Sequence, residues 1–380
     1  MAYNQRHDST GLAAGSFKIS AFKVFKFSLG LRQPLVIGEH HLSKRTGFII
    51  EIRTEGDHVA FGEISPLPGL SREDMTLVET QIMWLRSSVL GRELPDHLEA
   101  LSGGGDNWLR GYNLAPSVRF GFETAVLNLI ATARGLPLCK LITNSPRDWI
   151  SVNGLLSGSP AKIMQKAEKL LEMDYRAFKL KVGRNSIQED IEITRHVRRF
   201  IGDDATLRLD ANRAWSIDDA LAFGQAVADC EIDYIEEPVK TLSLLEKLIG
   251  ESGWLLPTGL DESLLELTAE GLLFMPGIKV VVLKPSLLGF EKAMQFARAA
   301  TARGIMPVIS SAFESSVGLT ALAHLAACVN VVDVPVGLDT LDWFEEDLLV
   351  DPLRVEMGRL RITELPDIPH EIRRDLLEAI

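Results

Sequence analysis

The fold is decided by five short segments that follow one another along the chain: Lys179-Leu180-Lys181, Leu209-Asp210-Ala211-Asn212, Ile235-Glu236-Glu237-Pro238, Leu260-Asp261-Glu262 and Leu283-Lys284-Pro285. Each segment ends an apolar run in charged residues, and successive charged groups lie 23 to 29 positions apart along the chain. One strand plus one helix of a β/α barrel has that length. The pattern therefore predicts consecutive parallel strands that deliver charged groups to the same edge of a sheet.

The chain from Trp149 onward alternates between strand and helix patterns. The strand candidates are Ile150–Leu156, Ala177–Val182, Thr206–Asp210, Asp233–Glu236, Thr258–Asp261, Lys279–Lys284 and Met306–Ser311. They are almost entirely apolar before their charged ends, as expected for parallel strands buried on both faces. Seven strand–helix units in a row predict an α/β fold with a modified TIM barrel, (β/α)7β. The alternative is an open doubly wound sheet, but Leu155–Pro160 is a poor match to its Gly-rich nucleotide loop.

The segment before the barrel has a different pattern, which predicts an α+β capping domain. Two antiparallel strands, Thr46–Thr54 and His58–Glu63, precede a loop rich in proline and glycine, Gly62–Ser71. A helix from about Arg72, capped by Ser71 and Asp74, is expected next. The predicted division is a flexible tail (1–16), the capping domain (17–145), the barrel (146–345) and a C-terminal segment (346–380) that packs back on the capping domain.

Composition excludes several classes of protein. The 380 residues are 46% hydrophobic and 24% charged, with a net charge of −12, which argues against a nucleic-acid or anionic-membrane partner. An anionic small molecule is still allowed, because a site has its own local field. The three cysteines, Cys139, Cys230 and Cys328, have no metal-ligand spacing, and no apolar run is long enough for a signal peptide or membrane span. We expect a cytoplasmic enzyme, and the sequence predicts no particular oligomeric state.

Three carboxylates at neighbouring strand ends predict a metal site. Asp210, Glu236 and Asp261 would repel one another at the barrel mouth unless a cation lies among them. Oxygen-only ligation suits Mg²⁺ or Mn²⁺, and it leaves coordination positions that a substrate carboxylate can occupy. Neighbouring side chains on a strand point to opposite faces, so either Glu236 or Glu237 faces inward, not both.

Two lysines reach the same mouth from opposite sides of the predicted barrel. Lys181 comes from the second strand and Lys284 from the sixth. A neighbouring Lys179 and a divalent cation both disfavour the charged form of Lys181, which could then remove a proton beside the bound carboxylate. Asn212 shares a face with Asp210. Any one of these residues alone is an ordinary strand-end residue; the ordered set indicates a catalytic site.

This set resembles the enolase superfamily, in its muconate-lactonising-enzyme subgroup. The subgroup has Lys-X-Lys on the second barrel strand, a metal-binding Asp, Glu and Asp on the next three, and a Lys on the sixth. The residues that match are Lys179 and Lys181, Asp210, Glu236, Asp261 and Lys284. The family takes the first Glu of its Glu-Glu-Pro motif as the ligand, which implies Glu236.

Within the subgroup the sequence is most similar to the o-succinylbenzoate synthases. The supporting stretches are Gly62–Ser71, Ser117–Ala125, Ser151–Leu156, Ile309–Leu319 and Gly337–Thr340. The resemblance implies an Mg²⁺-dependent syn dehydration of 2-succinyl-6-hydroxy-2,4-cyclohexadiene-1-carboxylate to 2-succinylbenzoate, a step of menaquinone biosynthesis. It implies that Lys181 is both base and acid, that Lys284 is a cation against the ring, and that the Gly62–Ser71 loop covers the mouth. The residues expected to contact substrate are Asn212, Ser310, Ser311, Glu314, Ser65 and Leu67.

Two other functions fit the same residues. An N-acylamino-acid racemase or dipeptide epimerase would use Lys181 and Lys284 as bases on the two faces of one carbon. A non-catalytic barrel that only binds a ligand is the third possibility. An intact metal triad and lysine pair argue against it, because a binding module has no need for them.

Overall fold

A computed structural model of the chain describes residues 18–94, 108–109 and 111–380. The predicted tail at 1–16 lies outside these residues. The described chain begins with a long antiparallel hairpin, in which Gly38 takes a left-handed φ of 56° at the turn. The hairpin strands are β1 (Ile19–Ile37) and β2 (His40–Thr54), and two more strands join them, β3 (Val59–Ile64) and β13 (Glu378–Ala379). The four form one sheet in the order β13-β1-β2-β3.

One face of this sheet packs on a helix that is buried along nearly its whole length, Pro116–Ala133. The contact is close: a Cβ added to Gly62 on β3 would lie 1.8 Å from the carbonyl oxygen of Gly121. A second helix, Met75–Val89, begins at Asp74, whose side chain accepts a hydrogen bond from the Leu77 amide. The predicted capping role of Ser71 is wrong, because its hydroxyl accepts from the Leu67 amide inside the preceding loop.

Seven parallel strands form the second sheet, in the chain order β5 to β11. They are β5 (Gly154–Leu156), β6 (Ala177–Lys181), β7 (Thr206–Asp210), β8 (Ile232–Glu236), β9 (Thr258–Leu260), β10 (Ile278–Leu283) and β11 (Met306–Ile309). Val336 bridges to Val152 beside β5, and Gly337 bridges to Ser310 after β11, so an eighth position joins the first and last strands. The predicted modified barrel, (β/α)7β, is therefore confirmed.

Helices follow most of the barrel strands, and their bounds are Pro160–Glu172, Ile187–Ile201, Ile217–Ala226, Leu242–Gly250, Pro285–Leu288, Phe290–Thr301 and Ser316–Val329. Two short helices lie outside this repeat: Leu138–Ile142 precedes the barrel strands, and Ile368–Glu371 contacts β3 of the first sheet. Strong caps mark several starts: the Ser186 hydroxyl accepts from the Glu189 amide, and Glu189 bonds back to the Ser186 amide in a capping box. Within the described residues, no helix combines the length and apolar character needed to cross a bilayer.

Three predicted elements differ from the structure. The single strand predicted over Ile150–Leu156 is divided into β4 (Trp149–Ser151) and β5 (Gly154–Leu156), and only β5 belongs to the barrel sheet. The helix predicted over Leu264–Leu273 is two short 3₁₀ turns, Glu262–Glu266 and Gly271–Phe274, because the chain after β9 is tied down by side-chain hydrogen bonds described below. The strand predicted over Leu353–Ile362 covers only β12 (Arg359–Arg361), which pairs with β4 (Trp149–Ser151). β13 pairs with β1 on the first sheet. The domain boundaries at 145 and 345 stay a prediction.

Candidate active site

Three buried carboxylates meet at the C-terminal ends of neighbouring barrel strands. Asp210 ends β7, Glu236 ends β8 and Asp261 follows β9. The parallel register pairs Asp210 with Glu236, which places their side chains side by side. Each of the three offers an oxygen that lies within 4.8 Å of the others. This is the arrangement that the strand-end pattern predicted.

The three lysines of the predicted site contact these carboxylates. Lys179 Nζ lies 2.9 Å from Oδ2 of Asp210 and 2.5 Å from Oε2 of Glu236. Lys181 donates to Asp210 Oδ2 at 2.7 Å, and Lys284 donates to Asp261 Oδ2 at 2.5 Å. Lysines from β6 and from the end of β10 therefore approach the triad from both sides.

The structure separates the two neighbouring glutamates. Glu236 faces the triad, whereas Glu237 lies behind it and accepts four hydrogen bonds. Its Oε1 accepts from the Asp261 amide at 2.8 Å and the Ser263 amide at 2.9 Å. Its Oε2 accepts from the Ser263 hydroxyl at 2.8 Å and from Nε of Arg213 at 3.0 Å. Glu237 thus fixes the loop that carries Asp261.

Several strand ends have strained backbone. Asn212 (φ 46°), Arg213 (φ 63°) and Glu237 (φ 44°) are all non-glycine residues in the left-handed region. Such conformations persist only where the surroundings enforce them, and they cluster at functional sites. The turn at Asn212 puts its amide nitrogen 3.0 Å from Asp210 Oδ1 and its side-chain oxygen 2.9 Å from Lys181 Nζ. The strain therefore coincides with the contacts that hold Asp210 and Lys181.

Burial and crowding set the charges of the triad. Burial, aided by Asp210 and Asp261, raises the pKa of Glu236 to about 8, although Lys179 opposes the shift. Burial alone would raise the pKa of Asp210, but the ammonium groups of Lys179 and Lys181 outweigh it and hold that pKa well below its usual range. The raised pKa of Glu236 reflects the repulsion among three buried carboxylates that lie this close together. A divalent cation would relieve this repulsion.

The donor set fits a hard metal ion. It consists of three carboxylates, and the cluster contains no sulfur or imidazole ligand. Carboxylate oxygens at this spacing suit Mg²⁺ or Mn²⁺ over zinc. The described residues could therefore hold a metal at the position predicted from the sequence.

A cavity of about 850 Å³ opens beside the triad. Five residues of the predicted site line it, and these are Lys181, Lys284, Asn212, Ser311 and Leu67. An adjoining cavity of about 70 Å³ is lined by Ser310 and Lys179 and shares Lys181 and Lys284 with the larger one. The two cavities together have room for a substrate of moderate size.

Two residues predicted to contact substrate are engaged within the protein instead. The Ser65 hydroxyl donates to Oε1 of Glu63 at 2.7 Å. Glu314 accepts hydrogen bonds from the Ser286 hydroxyl and the Ala312 amide. Neither residue lines the two cavities, so the geometry favours a supporting role for both over direct contact with substrate.

Other cavity-lining residues were not predicted. The tip of the β1–β2 hairpin, residues 35–38, and the aromatic pair Phe313 and Trp343 line the larger cavity. Glu262 also lines it, and burial together with Asp261 raises the Glu262 pKa to about 7. The hairpin tip lies more than 140 residues before the first catalytic residue, and no sequence pattern links the two.

Two known families match this chain. The family described as "Enolase C-terminal domain-like" matches residues 162–376, and "MenC, N-terminal domain" matches residues 19–129. The first match spans more than half of the chain and includes every strand end of the triad. The second covers β1, β2 and β3 of the antiparallel sheet and most of the helix Pro116–Ala133.

Characterised relatives extend over most of the chain. An o-succinylbenzoate synthase of Yersinia pestis (strain Pestoides F) is 31% identical over 343 residues, which cover 86% of this chain and 92% of that protein. The chloroplastic protein PHYLLO of Arabidopsis thaliana is 30% identical over 370 residues. That match covers 88% of this chain but only 21% of the much longer plant protein.

Solved structures share the fold at lower identity. A muconate lactonizing enzyme from Pseudomonas fluorescens, complexed with muconolactone, has a TM-score of 0.84 at 22% identity, covering 95% of this chain and 98% of that one. A dipeptide epimerase from Enterococcus faecalis V583, complexed with Mg and the dipeptide L-Leu-L-Tyr, has a TM-score of 0.80 at 24% identity, with 95% and 99% covered.

The sequence resembles the enolase superfamily, and three findings agree with that resemblance: the barrel, the antiparallel sheet beside it and the two family matches. The relatives at 30% and 31% identity cover more than four fifths of the chain, and the structural neighbours have the same architecture. The chain is therefore an enzyme that belongs to the enolase superfamily.

Proposed function

We propose that this enzyme is an o-succinylbenzoate synthase, which dehydrates 2-succinyl-6-hydroxy-2,4-cyclohexadiene-1-carboxylate to 2-succinylbenzoate in menaquinone biosynthesis. The observation that carries the proposal is one cavity of about 850 Å³ lined by both Lys181 and Lys284 beside a buried carboxylate triad. These groups suit removal of a proton next to a carboxylate. The choice of substrate is supported by similarity in both halves of the chain.

Asp210, Glu236 and Asp261 would hold Mg²⁺, with Mn²⁺ as a possible substitute. When bound, the ion supplies positive charge that stabilises a carboxylate whose neighbouring carbon loses a proton. Lys179 contacts two of the three carboxylates and keeps them close together. The substrate class that follows is a small anionic carboxylate.

Lys181 acts as base and then as acid on one face of the ring. It breaks the C–H bond beside the ring carboxylate, and the electron pair forms the new ring double bond as the hydroxyl leaves. The ammonium group of Lys181 gives its proton to that hydroxyl, so water departs and the lysine is regenerated. Lys284 stays protonated and faces the flat anionic ring, where an ammonium group is favourable. Asp261, 2.5 Å from Lys284 Nζ, supports this charged state.

A racemase or epimerase of N-acylamino acids or dipeptides is the second candidate. One observation favours it: Lys181 and Lys284 approach the triad from different strands, β6 and β10, and both line the cavity. Proton exchange on two faces of one carbon needs two such bases. The two candidates differ in what they require of Lys284.

Steady-state kinetics with the cyclohexadiene carboxylate and a panel of N-acylamino acids and dipeptides tests the proposal. We expect the highest kcat/KM for the cyclohexadiene carboxylate, and a higher value for an amino-acid derivative would reverse the ranking. Lys181→Ala should abolish dehydration while Mg²⁺ still binds, as measured by titration calorimetry. Retention of most of the turnover would refute the role of Lys181.

Lys284→Ala separates the two candidates further. Dehydration should slow but persist, whereas racemisation should stop because one base is missing. Lys279→Ala is the matched control, since Lys279 lies on the same strand with an exposed side chain. The control should behave like the parent enzyme.

A further inference from the structure

Two loops from distant parts of the chain line the large cavity. The 62–71 loop begins with the last three residues of β3 and contributes Leu67, Gly69 and Leu70. The 310–316 turn follows β11 and contributes Ser311, Ala312 and Phe313. The shape of the cavity therefore depends on how these two loops sit relative to each other.

A single buried side chain, Arg45 on β2, bonds to both loops. Its guanidinium donates to Ser65 O and Pro66 O, each at 2.8 Å, in the 62–71 loop. It also donates to Phe313 O at 3.1 Å and Ala312 O at 3.4 Å in the 310–316 turn. The residue is only 2% exposed. A planar fork with five N–H groups can bond to two loops at once, which an ammonium group does less well.

Stability of the folded protein alone does not explain a charged residue as deeply buried as Arg45. Burial lowers its pKa, although Glu314 and Glu63 oppose the shift. In the part of the chain that the structure describes, Arg45 forms no salt bridge, and its partners are backbone carbonyls. Burying a charged group that has no ion-pair partner costs free energy, which hydrogen bonds to neutral carbonyls offset only in part. The fixed geometry that a guanidinium provides is a better reason for its presence.

A second tie holds the same regions together without Arg45. Glu63, the penultimate residue of β3, accepts from the Ser315 hydroxyl at 2.6 Å and from the Gly318 amide at 3.0 Å. These donors lie at the start of the helix Ser316–Val329. Removal of Arg45 would therefore leave the loops attached while changing their spacing.

We propose that Arg45 is a positioning residue that sets the spacing of the 62–71 loop and the 310–316 turn, and through it the fit of the substrate. The inference rests on the proposed function for the identity of the substrate, but the tie between the loops is independent of it. Arg45 touches neither the triad nor the lysines. Its loss should therefore alter binding more than the proton chemistry.

Arg198 provides a matched control. It is 7% exposed and also donates to four backbone carbonyls, those of Cys230, Gly202, Ala205 and Glu231. These acceptors lie in the loops that precede β7 and β8, at the opposite end of the strands from the triad. Arg45→Met and Arg198→Met thus remove the same kind of buried contact from the two ends of the barrel.

The test measures kcat, KM and amide hydrogen exchange for the parent and both variants. For Arg45→Met we expect KM to rise at least about tenfold with a smaller change in kcat, since misplaced contacts weaken substrate positioning. Exchange should accelerate in both loops. For Arg198→Met we expect a lower melting temperature, faster exchange near 202–205 and 230–231, and an unchanged KM. Equal KM effects in the two variants, or none in either, would overturn the proposal.

Two further measures keep the test decisive. If Arg45→Met does not fold, Arg45→Lys takes its place. This variant should still raise KM, because one ammonium group cannot bond to four carbonyls. An unchanged KM in Arg45→Lys would count against the proposal. The kinetics use the best substrate of the panel described above. If the parent enzyme has its highest kcat/KM for an N-acylamino acid, the proposed dehydration is refuted. The role of Arg45 is then still tested by the KM for that substrate and by hydrogen exchange in the two loops.

Discussion

We expect Glu237→Gln to weaken Mg²⁺ binding even though Glu237 lies outside the triad. The substitution keeps the shape of the side chain. One oxygen can still accept from the Asp261 and Ser263 amides, but the other becomes an NH₂ group that faces the Ser263 hydroxyl and Arg213 Nε, both of which donate to Oε2 in the parent. Arg213 Nε can only donate, so the new NH₂ group faces a donor there, and the loop carrying Asp261 must shift.

The magnitude follows from these contacts. Hydrogen bonds to a charged group contribute about 1.5–3 kcal/mol each, and the bond from Arg213 to Glu237 is lost. Only part of this energy reaches the metal, because the two amide contacts that orient Asp261 survive. Loss of groups that orient metal ligands typically weakens affinity about 10- to 100-fold. We therefore expect the Kd for Mg²⁺ to rise by that factor, equivalent to about 1.4–2.7 kcal/mol.

Titration calorimetry with MgCl₂ measures the effect directly, and Glu266→Gln is the control. Glu266 pairs with the same guanidinium, 3.2 Å from Nη2 of Arg213, but its side chain is 49% exposed and does not contact Asp261. The control should leave the Kd for Mg²⁺ unchanged. Equal weakening in both variants would mean that Arg213, not the position of Asp261, controls the affinity. Parent-like binding in Glu237→Gln would refute the supporting role altogether.

Two further predictions concern stability. Burial raises the pKa of Glu123 to about 7 from a usual 4.5. Between these two pH values the carboxyl of the folded protein keeps its proton, whereas that of the unfolded chain has lost it. The free energy of unfolding therefore falls as pH rises from about 4.5 to about 7. Glu123→Gln should flatten this dependence by up to about 3 kcal/mol in thermal melts, and an unchanged slope would contradict it. In Gly121→Ala the new Cβ would lie 2.3 Å from Ile64 Cγ1 and 2.6 Å from Glu63 O, so calorimetry should record a loss of about 1–3 kcal/mol or more. Gly250→Ala, which meets no atom within 4 Å, should not be destabilised.

The barrel and the triad could be predicted because their signals are local and repeated. Each strand carries its charged residue at its own C-terminal end, and parallel strands bring those ends to one edge. The strand predicted over Thr206–Asp210 matches β7 residue for residue. Chain spacing thus predicted the positions of Asp210 and Asp261, and it limited the third carboxylate to Glu236 or Glu237.

The rest of the site depends on contacts that the sequence does not encode locally. Arg45 bonds to Phe313, 268 positions away, and nothing around either residue indicates the contact. Alternation showed that Glu236 and Glu237 face different ways but not which is the ligand, because the choice depends on the Asp261 and Ser263 amides of the next strand end. The helix predicted over Leu264–Leu273 was wrong for the same reason: Glu237 accepts from the Asp261 and Ser263 amides just before that segment and favours a tight turn there.

Every acceptor of the Arg45 guanidinium is a main-chain oxygen. The side chains at positions 65, 66, 312 and 313 can therefore be exchanged by mutation without removing a partner of Arg45. During evolution the surface presented to the substrate can diverge while the separation of the two loops is preserved. Such a tie would let one ancestral scaffold acquire new substrates through single substitutions, with Asp210, Glu236 and Asp261 left untouched.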